Sequence, residues 1–339
     1  MQRKKPTLKT VAAHLGVSTA TVSNAFNRPS QLSKALRESI LLECEKLGYT
    51  GPSITARSLR TGKTGVIGVL LADNLAYNFT DPVATEFLAG VSKTLDEAHV
   101  NMLLLPPSRE NYQNTQVETI PDSFIVYGKP VDSNIIDLIL RQHKPVVAVD
   151  FSLPDIPSIN IDNHKASYDI AMHAIHGSDD NVFILGLRLE PSTSLSLANL
   201  DNLYSSEESV SRCRFNGYKQ ALEENGITLS NENVWQIHDL EEATLKTMLR
   251  GALTAPREVD VLLCMSDKIA LAALSVAKEL NVNTRIVGFD GIPKSAEAEL
   301  TTIQQPIAKK GQIAAQMALG QLPYESIQLE SELIIRSSS

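Results

Sequence analysis

Four residues near the amino terminus have side chains that can contact the edges of DNA bases. Thr19, Ala20, Ser23 and Asn24 lie on one side of a short segment whose other side is apolar. Threonine and serine can bond bases or phosphates, alanine can touch the methyl group of thymine, and asparagine can bond adenine through two hydrogen bonds. The set predicts a DNA-reading surface, with a generic three-helix protein module as the alternative.

Three short helices must position these side chains. Thr7, Ser18 and Ser33 each precede a segment of helical periodicity and predict its N-cap. Gly16 supplies the backbone freedom for a tight turn between the first two helices, and Gly48 ends the third. The second helix is then expected from residue 19 to about residue 26. A helix-turn-helix places this second helix in the major groove.

The charge distribution separates this head from the rest of the chain. Residues 1–63 contain 11 Lys and Arg but only 3 Asp and Glu, a net charge of +8, whereas the whole chain of 339 residues has a net charge of −8. A basic head on an acidic body indicates that only the head touches a polyanion. A disordered basic tail is the alternative, and the helical pattern argues against it.

The head resembles a known family. The stretch from Thr7 to Ser23, TLKTVAAHLGVSTATVS, is similar to the opening of the LacI/GalR family of bacterial transcription regulators. Ala56–Arg60, ARSLR, resembles the hinge helix of that family, in which a leucine, here Leu59, is wedged into the minor groove and bends the operator. Asn24 departs from the family, which often has arginine there, so the operator sequence does not follow by analogy.

The predicted partner of the head is double-stranded operator DNA. The residues expected to contact it are Thr7, Ser18, Thr19, Ala20, Thr21, Ser23, Asn24, Asn27, Arg57 and Leu59.

The acidic body reads as an α/β protein. Short apolar runs alternate with helical patterns, which predicts parallel strands covered on both faces by helices. The runs are Val66–Leu71, Met102–Leu105, Phe124–Tyr127, Val146–Val149, Val182–Leu187, Val261–Met265 and Ile286–Phe289. The predicted fold class is therefore α/β, with a helix-turn-helix head and a body with parallel sheets.

The body also resembles the same family. Similar segments are RFNGY (214–218), SDKIA (266–270), VGFD (287–290) and LTTIQQP (300–306). The resemblance implies a body like the periplasmic sugar-binding proteins, with two lobes joined by three crossings and a small-molecule effector between them.

Polar side chains at the carboxyl ends of the strands suit such a ligand, because ligands of open α/β sheets bind there. Arginine offers a fork of donors and aspartate accepts two hydrogen bonds, so together they can hold neighbouring hydroxyls, as in a sugar. By resemblance, Arg214, Asp267 and Asp290 hold the effector. The other residues expected at the effector site are Asp73, Asn74, Tyr77, Phe79, Asp150 and Trp235. The aromatic residues are core residues in the alternative interpretation, and Asp267 is a helix cap.

These patterns predict three regions. They are a DNA-binding domain at 1–50, a hinge helix and linker at 51–63, and an effector and dimerisation domain at 64–339. Its N-lobe is expected at about 64–161 and 292–321, and its C-lobe at about 162–291 and 322–339. A helix is expected to begin at Pro82 after the cap Asp81, with an apolar stripe of Val83, Phe87, Val91 and Leu95 that is lobe core in the simplest interpretation. The resemblance implies a homodimer in which this helix forms the interface.

Several functions find no support in the sequence. It lacks G-x-G-x-x-G, G-x-x-x-x-G-K-[ST] and G-x-S-x-G. His173 and His176 are three apart but have no further ligands nearby, so no metal and no cofactor is expected. There is no secretory signal, no apolar run long enough for a membrane span and only 3 Cys, so we expect a cytoplasmic protein with no membrane partner. We expect a repressor that is not an enzyme. The alternative is a cytoplasmic small-molecule-binding protein or a sugar-processing enzyme whose head has another role.

Overall fold

A computed structural model describes residues 6–51, 62–107, 120–130, 132–189, 196–198, 200–201, 203, 209–237, 242–254 and 258–339. The chain forms two compact units, Met1–Gly65 and Val66–Ser339. None of the helices in these ranges combines the length and the apolar composition needed to cross a bilayer.

The first unit contains three helices, α1 (Leu8–Leu15), α2 (Thr19–Asn27) and α3 (Lys34–Lys46), with a 3-10 turn at Pro29–Gln31. The predicted caps are confirmed, because Thr7, Ser18 and Ser33 each accept a hydrogen bond from a backbone amide in the first turn. Each cap satisfies one of the amides that a helix start leaves without a partner.

A small core holds the three helices together. Arg37 on α3 adds a polar tie, since its Nε donates to the carbonyl oxygen of Ala25 near the end of α2 at 3.0 Å. Gly16 has φ +66°, the left-handed conformation that the turn between α1 and α2 requires. The buried residues are Val11, Ala12, Val22, Ala25, Ile40, Cys44 and Tyr49.

The second unit contains two sheets. The first has six strands, all parallel, in the order β12-β5-β4-β3-β1-β2. Its strands are β1 (Val66–Leu71), β2 (Asn101–Leu105), β3 (Ser123–Tyr127), β4 (Val146–Val149), β5 (Ser158–Ile161) and β12 (Ile327–Leu329). Its helices are α4 (Leu75–Asn78), α5 (Pro82–Ala98), α6 (Ser133–Leu140) and α12 (Ile307–Ala318).

The second sheet has seven strands in the order β13-β11-β10-β9-β6-β8-β7, parallel except at its two edges. Its strands are β6 (Val182–Gly186), β7 (Ser196–Leu197), β8 (Val234–Gln236), β9 (Val261–Cys264), β10 (Arg285–Asp290), β11 (Thr301–Gln304) and β13 (Glu332–Ile334). A 3-10 turn, Asn231–Asn233, precedes β8. The helices are α7 (Asn163–Ala174), α8 (Val210–Glu224), α9 (Glu242–Leu253), α10 (Asp267–Leu280) and α11 (Pro293–Glu297).

Sheet membership corrects the predicted lobe boundaries in two places. Thr301–Gln304 was expected in the N-lobe, but it pairs with β10 of the second sheet. Ile327–Leu329 was expected in the C-lobe, but it pairs with β5 of the first sheet. The short polar run TTIQ gives no apolar signal, and a strand this short can join either sheet until tertiary pairing selects one. The chain therefore crosses between the sheets after β5, after β11 and between β12 and β13.

Two helices on one face of the first sheet cross in very close contact. Phe87, Val91 and Leu95 of α5 are buried, as the apolar stripe predicts. Gly90 of α5 faces α12 so closely that a Cβ there would lie 2.0 Å from the carbonyl oxygen of Ala308. From the other side, a Cβ at Gly311 would lie 2.3 Å from the carbonyl oxygen of Phe87. The backbones approach one another because neither crossing residue has a side chain.

We expect Gly90→Ala to destabilise the protein by about 1–3 kcal/mol or more, because the added methyl group meets backbone atoms that cannot move aside. Gly251→Ala is the matched control, since Gly251 is exposed on α9 and a Cβ there meets nothing within 4 Å. The control should stabilise the helix by up to about 1 kcal/mol. Urea unfolding measures both changes, and equal effects of the two substitutions would contradict the close crossing.

Candidate functional site

The two sheets share one strand order, and this places two aspartates at equivalent positions. β4 lies between β5 and β3 in the first sheet, as β10 lies between β11 and β9 in the second. Asp150 follows β4, and Asp290 is the last residue of β10. Both have positive φ, +59° for Asp150 and +124° for Asp290. Such conformations are uncommon outside glycine and often mark functional sites, so the paired outliers identify this edge as a candidate site.

Asp290 and Arg214 form the centre of the site on the second lobe. Both side chains are buried, and the Arg214 Nη1 lies 3.6 Å from the Asp290 Oδ1. Arg214 also donates to the Asn163 Oδ1 at 3.0 Å and to the carbonyl oxygen of Met265 at 2.6 Å. Its guanidinium carbon lies 3.6 Å from the centre of the Phe289 ring, a cation–π arrangement. These contacts fix the orientation of the guanidinium group.

Burial dominates the ionisation of Asp290. Desolvation raises the pKa of its carboxyl group to about 8, although the nearby Arg214 guanidinium opposes the shift. The carboxylates of Asp267 and Asp81 add to the increase, and the hydrogen bond from Gln305 opposes it. A carboxyl group in this state can donate as well as accept a hydrogen bond at neutral pH.

Asp150, on the first lobe, is held by a buried lysine. The Lys310 Nζ lies 2.5 Å from the Asp150 Oδ1 and 2.7 Å from the Gln305 Oε1. The other end of the Gln305 amide donates to the Asp290 Oδ1 at 2.8 Å. The two aspartates are therefore connected through two side chains.

The carboxyl group of Asp267 has a different role from the predicted one. It is 0% exposed, and its Oδ2 accepts hydrogen bonds from the amides of Gly291 and Ile292 and from the hydroxyl of Ser295 at 2.5–2.9 Å. Its Oδ1 accepts from the Thr302 hydroxyl at 2.5 Å. The prediction that Asp267 holds a ligand is corrected: its carboxyl group fastens the loop after β10, and the protein itself takes up both of its oxygens.

Trp235 also lies away from the paired aspartates. It is the middle residue of β8 and packs into the core that α9 and α10 form with the sheet. Its indole Nε1 is buried and has no hydrogen-bond partner among the described residues. Two strands, β9 and β6, separate β8 from β10, so the half-buried Trp235 packs against this core away from the paired aspartates, which does not fit the predicted stacking contact with the ligand.

The remaining predicted residues surround the start of α4 on the first lobe. Asp73 and Asn74 are exposed directly after β1, and Asn74 caps α4. Tyr77 donates to the Asp81 Oδ1 at 3.2 Å, and the Lys268 Nζ of the second lobe lies 4.7 Å from the centre of its ring. Phe79 is 61% exposed. Tyr77 therefore contacts a residue of the second lobe.

The side chains predicted to read DNA bases lie on α2. Thr19 and Ala20 are exposed, while Ser23 and Asn24 are half-buried. Within the described residues no hydrogen bond engages the Asn24 amide. By contrast, the Asn27 amide donates to the carbonyl oxygen of Ser23 at 3.1 Å. Asn24 therefore has a free donor and acceptor on the helix, and Asn27 has less to offer.

The other predicted DNA contacts divide into two groups. Thr7 and Ser18 use their hydroxyl groups as helix caps, and the Thr21 hydroxyl lies 2.8 Å from that of Ser18. Arg57 and Leu59 lie outside the described residues.

Four residues of the site were not predicted, namely Asn163, Lys268, Gln305 and Lys310. Lys310 does have a sequence signal, because it lies between Ile307 and Ala314 on the apolar stripe of α12, where a charged residue is unusual. Gln305 belongs to the LTTIQQP segment, but its role depends on a lysine and an aspartate from other elements. In the described part of the chain, no cluster of His, Cys, Asp and Glu is arranged to hold a metal ion.

Comparisons with known proteins match both parts of the chain. Residues 7–51 match the family model of bacterial regulatory proteins, lacI family. Residues 202–339 match the model of a periplasmic binding protein-like domain. The HTH-type transcriptional regulator Rv3575c of Mycobacterium tuberculosis is 33% identical over 327 residues, which cover 94% of this chain and 91% of that protein.

Solved structures show the same fold. A LacI-family transcriptional regulator from Corynebacterium glutamicum matches with a TM-score of 0.70 and 26% identity, and the match covers 99% of each chain. The lac repressor dimer bound to operator and the anti-inducer ONPF matches with a TM-score of 0.73 and 20% identity, again over 99% of each chain.

The raised pKa of Asp290 predicts how stability depends on pH. The folded protein binds this proton more tightly than the unfolded chain, so the stability that it contributes is present at low pH and lost as pH rises from about 4 to about 8. Asp290→Asn cannot titrate, so its urea midpoint should fall less than that of the wild type between pH 5 and 8.

Asp180→Asn is the control for this experiment. Burial alone would raise the pKa of Asp180, but hydrogen bonds from Arg285 and from backbone amides hold it below its ordinary value. Asp180 is then ionised in both states from pH 5 to 8, and its removal should leave the slope unchanged. Equal slopes for the wild type and Asp290→Asn would show that Asp290 is not protonated in the folded protein.

Proposed function

The chain belongs to the lacI family of bacterial regulatory proteins, and on this premise we propose that it is a repressor that binds one operator sequence as a homodimer. A small polar effector, most simply a sugar, binds between the lobes and changes operator affinity. The relatives are transcriptional regulators, and the head is a DNA-binding helix-turn-helix of that family. The repressor role, the sugar and the dimer are the parts that we add.

One observation supports the DNA-reading role above all. Helix α2 presents Thr19 and Ala20 at its exposed start and an Asn24 amide with no partner among the described residues. In a helix-turn-helix, the N-terminal residues of the recognition helix contact base edges in the major groove, and this supports the same role for α2. The basic charge of residues 1–63 then supplies the phosphate attraction that precedes sequence reading.

The dimer follows from the form of operator recognition. Two heads related by two-fold symmetry bind a site with matching two-fold symmetry. The lac repressor structure, which shares the fold, is a dimer on its operator. We extend this arrangement to the present chain, and with it the roles of Arg57 and the Leu59 wedge in the hinge at 51–63.

The effector site centres on Arg214, Asp290 and Asp150. They combine a fixed guanidinium fork with two carboxyl groups from opposite lobes, at the carboxyl ends of equivalent strands. Neighbouring hydroxyls can donate to the carboxyl oxygens while accepting from arginine, which favours a sugar or another polyol. Asp73, Asn74, Tyr77 and Phe79 would complete the site from the first lobe. Asp267 is left out because protein groups bond both of its oxygens. Trp235 is left out because it lies on β8, away from the paired aspartates.

The alternative is a binding protein or a sugar-processing enzyme whose head has another role. It predicts either turnover of a sugar by the pure protein or ligand binding without any effect on DNA. We place the protein in the cytoplasm, where its target DNA is, and assign it no catalytic activity. Turnover of a sugar that binds would overturn this assignment.

Selection of genomic DNA fragments by the purified protein tests the proposal. The expected result is an enriched pseudo-palindrome, and a fraction of a metabolite extract should then change operator affinity by about 5- to 150-fold. The same fraction should act less on Asp290→Asn. If no sequence is enriched with or without the extract, the head is not a DNA reader.

We expect Asn24→Ala to weaken binding to the selected operator by about 1–3 kcal/mol and to relax the preference at one base-pair position. Asn27→Ala is the matched control, because its amide is already bonded to Ser23 and its loss should not change the preferred sequence. Fluorescence anisotropy on the operator and its single-base variants separates the two outcomes. Weakening of Asn24→Ala by the same factor on every sequence would assign this residue to phosphate contact.

A further inference from the structure

Lys310 is a charged residue in a position where helices carry apolar ones. It is 1% exposed and shares the buried face of α12 with Ile307, Ala314 and Met317. Taking an ammonium group out of water is costly unless charged or polar partners surround it. The neighbouring Lys309 has the same chemistry but is exposed, so the burial of Lys310 is specific to its position.

The partners of Lys310 lie at the effector site. Its Nζ contacts the Asp150 Oδ1 at 2.5 Å and the Gln305 Oε1 at 2.7 Å. Gln305 then contacts Asp290 twice: its Nε2 donates to the Oδ1 at 2.8 Å, and its backbone amide donates to the carbonyl oxygen at 3.1 Å. We call these four residues, Asp150, Lys310, Gln305 and Asp290, the relay.

The relay crosses from one lobe to the other at a connection of the chain. Gln305 lies between β11, which belongs to the second sheet, and α12, which packs on the first. Asp150 follows a strand of the first sheet, and Asp290 ends the equivalent strand of the second. A relative movement of the lobes must therefore stretch or break one of these bonds.

Only one orientation of the Gln305 side chain satisfies the relay. Its carbonyl oxygen faces the ammonium group of Lys310, and its NH2 group faces the carboxyl group of Asp290. A flipped amide would direct its NH2 group at the ammonium group of Lys310, and two groups that only donate cannot form a hydrogen bond with each other. Lys310 thus fixes the amide that contacts Asp290, although it does not contact Asp290 itself.

We propose that Lys310 is a positioning residue that couples the effector site of the second lobe to the first lobe through Gln305. A ligand that bonds Asp290 or Asp150 competes for oxygens that the relay uses, and Lys310 transmits this change across the connection. The inference rests on the proposed function, since it assigns the regulation of the same site. Coupling between the lobes of this chain then depends on one buried charge, the ammonium group of Lys310.

Hydrogen exchange of the full-length protein, followed by mass spectrometry, tests the relay without knowledge of the ligand. Lys310→Met keeps the length and the apolar character of the helix face but removes the ammonium group. Peptides that contain Gln305, Val146–Val149 and Arg285–Asp290 should exchange about tenfold faster, the change expected from the loss of one charge-assisted hydrogen bond. Lys309→Met is the matched control and should exchange as the wild type does.

A double variant distinguishes coupling from simple charge neutralisation. Lys310→Met leaves Asp150 without its counterion, and Asp150→Asn removes that charge in the same chain. Coupling predicts that the double variant still exchanges faster at Gln305, because the amide has lost its partner. Restoration of wild-type exchange would mean that Lys310 only neutralises Asp150, and the proposal would be wrong.

Two other results would also overturn the proposal. One is unchanged exchange in Lys310→Met, and the other is a uniform increase that includes the core strand Val261–Cys264, which would make Lys310 a general stabiliser of the fold. DNA selection by the wild type decides the proposed function separately. A protein that selects no DNA but shows the localised exchange would lose its assignment as a regulator while the relay remained.

Discussion

The burial of Asp290 beside Arg214 is the constraint on which the site depends. A buried carboxyl group needs polar partners in place of water, and Asp290 has Arg214 and Gln305. Gln305 in turn needs Lys310, and Lys310 needs Asp150 on the other lobe. The requirement to satisfy one buried acid therefore extends through a connected set of polar groups to the opposite sheet.

The architecture makes this connection possible because the two sheets repeat one strand order. Equivalent strands bring an aspartate from each lobe to the same edge, and the chain passes between the lobes next to them. Close helix packing at Gly90 and Gly311 holds α12 against the first sheet, so Lys310 moves with that lobe. Asp267 has a separate role, since it holds the loop after β10. Its carboxyl group fits there only because Gly288 has no side chain. A carboxyl group that is bonded entirely by the protein and one at the candidate site thus follow neighbouring strands.

The head and the body depend on the sequence in different ways. In the head, caps, turns and buried positions are local, and Thr7, Ser18 and Ser33 are caps where the pattern predicts them. In the body, apolar strands such as Val66–Leu71 and Val146–Val149 have the predicted bounds, because continuous burial requires continuous apolar sequence. Short polar strands such as Thr301–Gln304 carry no such signal, and their sheet was predicted wrongly.

The sequence by itself determined the family, the helix-turn-helix head and the α/β class, since these rest on motifs and on local periodicity. Only the tertiary structure decided that Asp267 is buried and bonded by the protein, that Trp235 packs away from the paired aspartates, and that Lys310 and Gln305 join the site. Whether a carboxylate faces a cleft or a loop depends on which groups distant segments bring to it. Burial and hydrogen-bond partners are properties of the assembled fold, and residue type and spacing do not contain them.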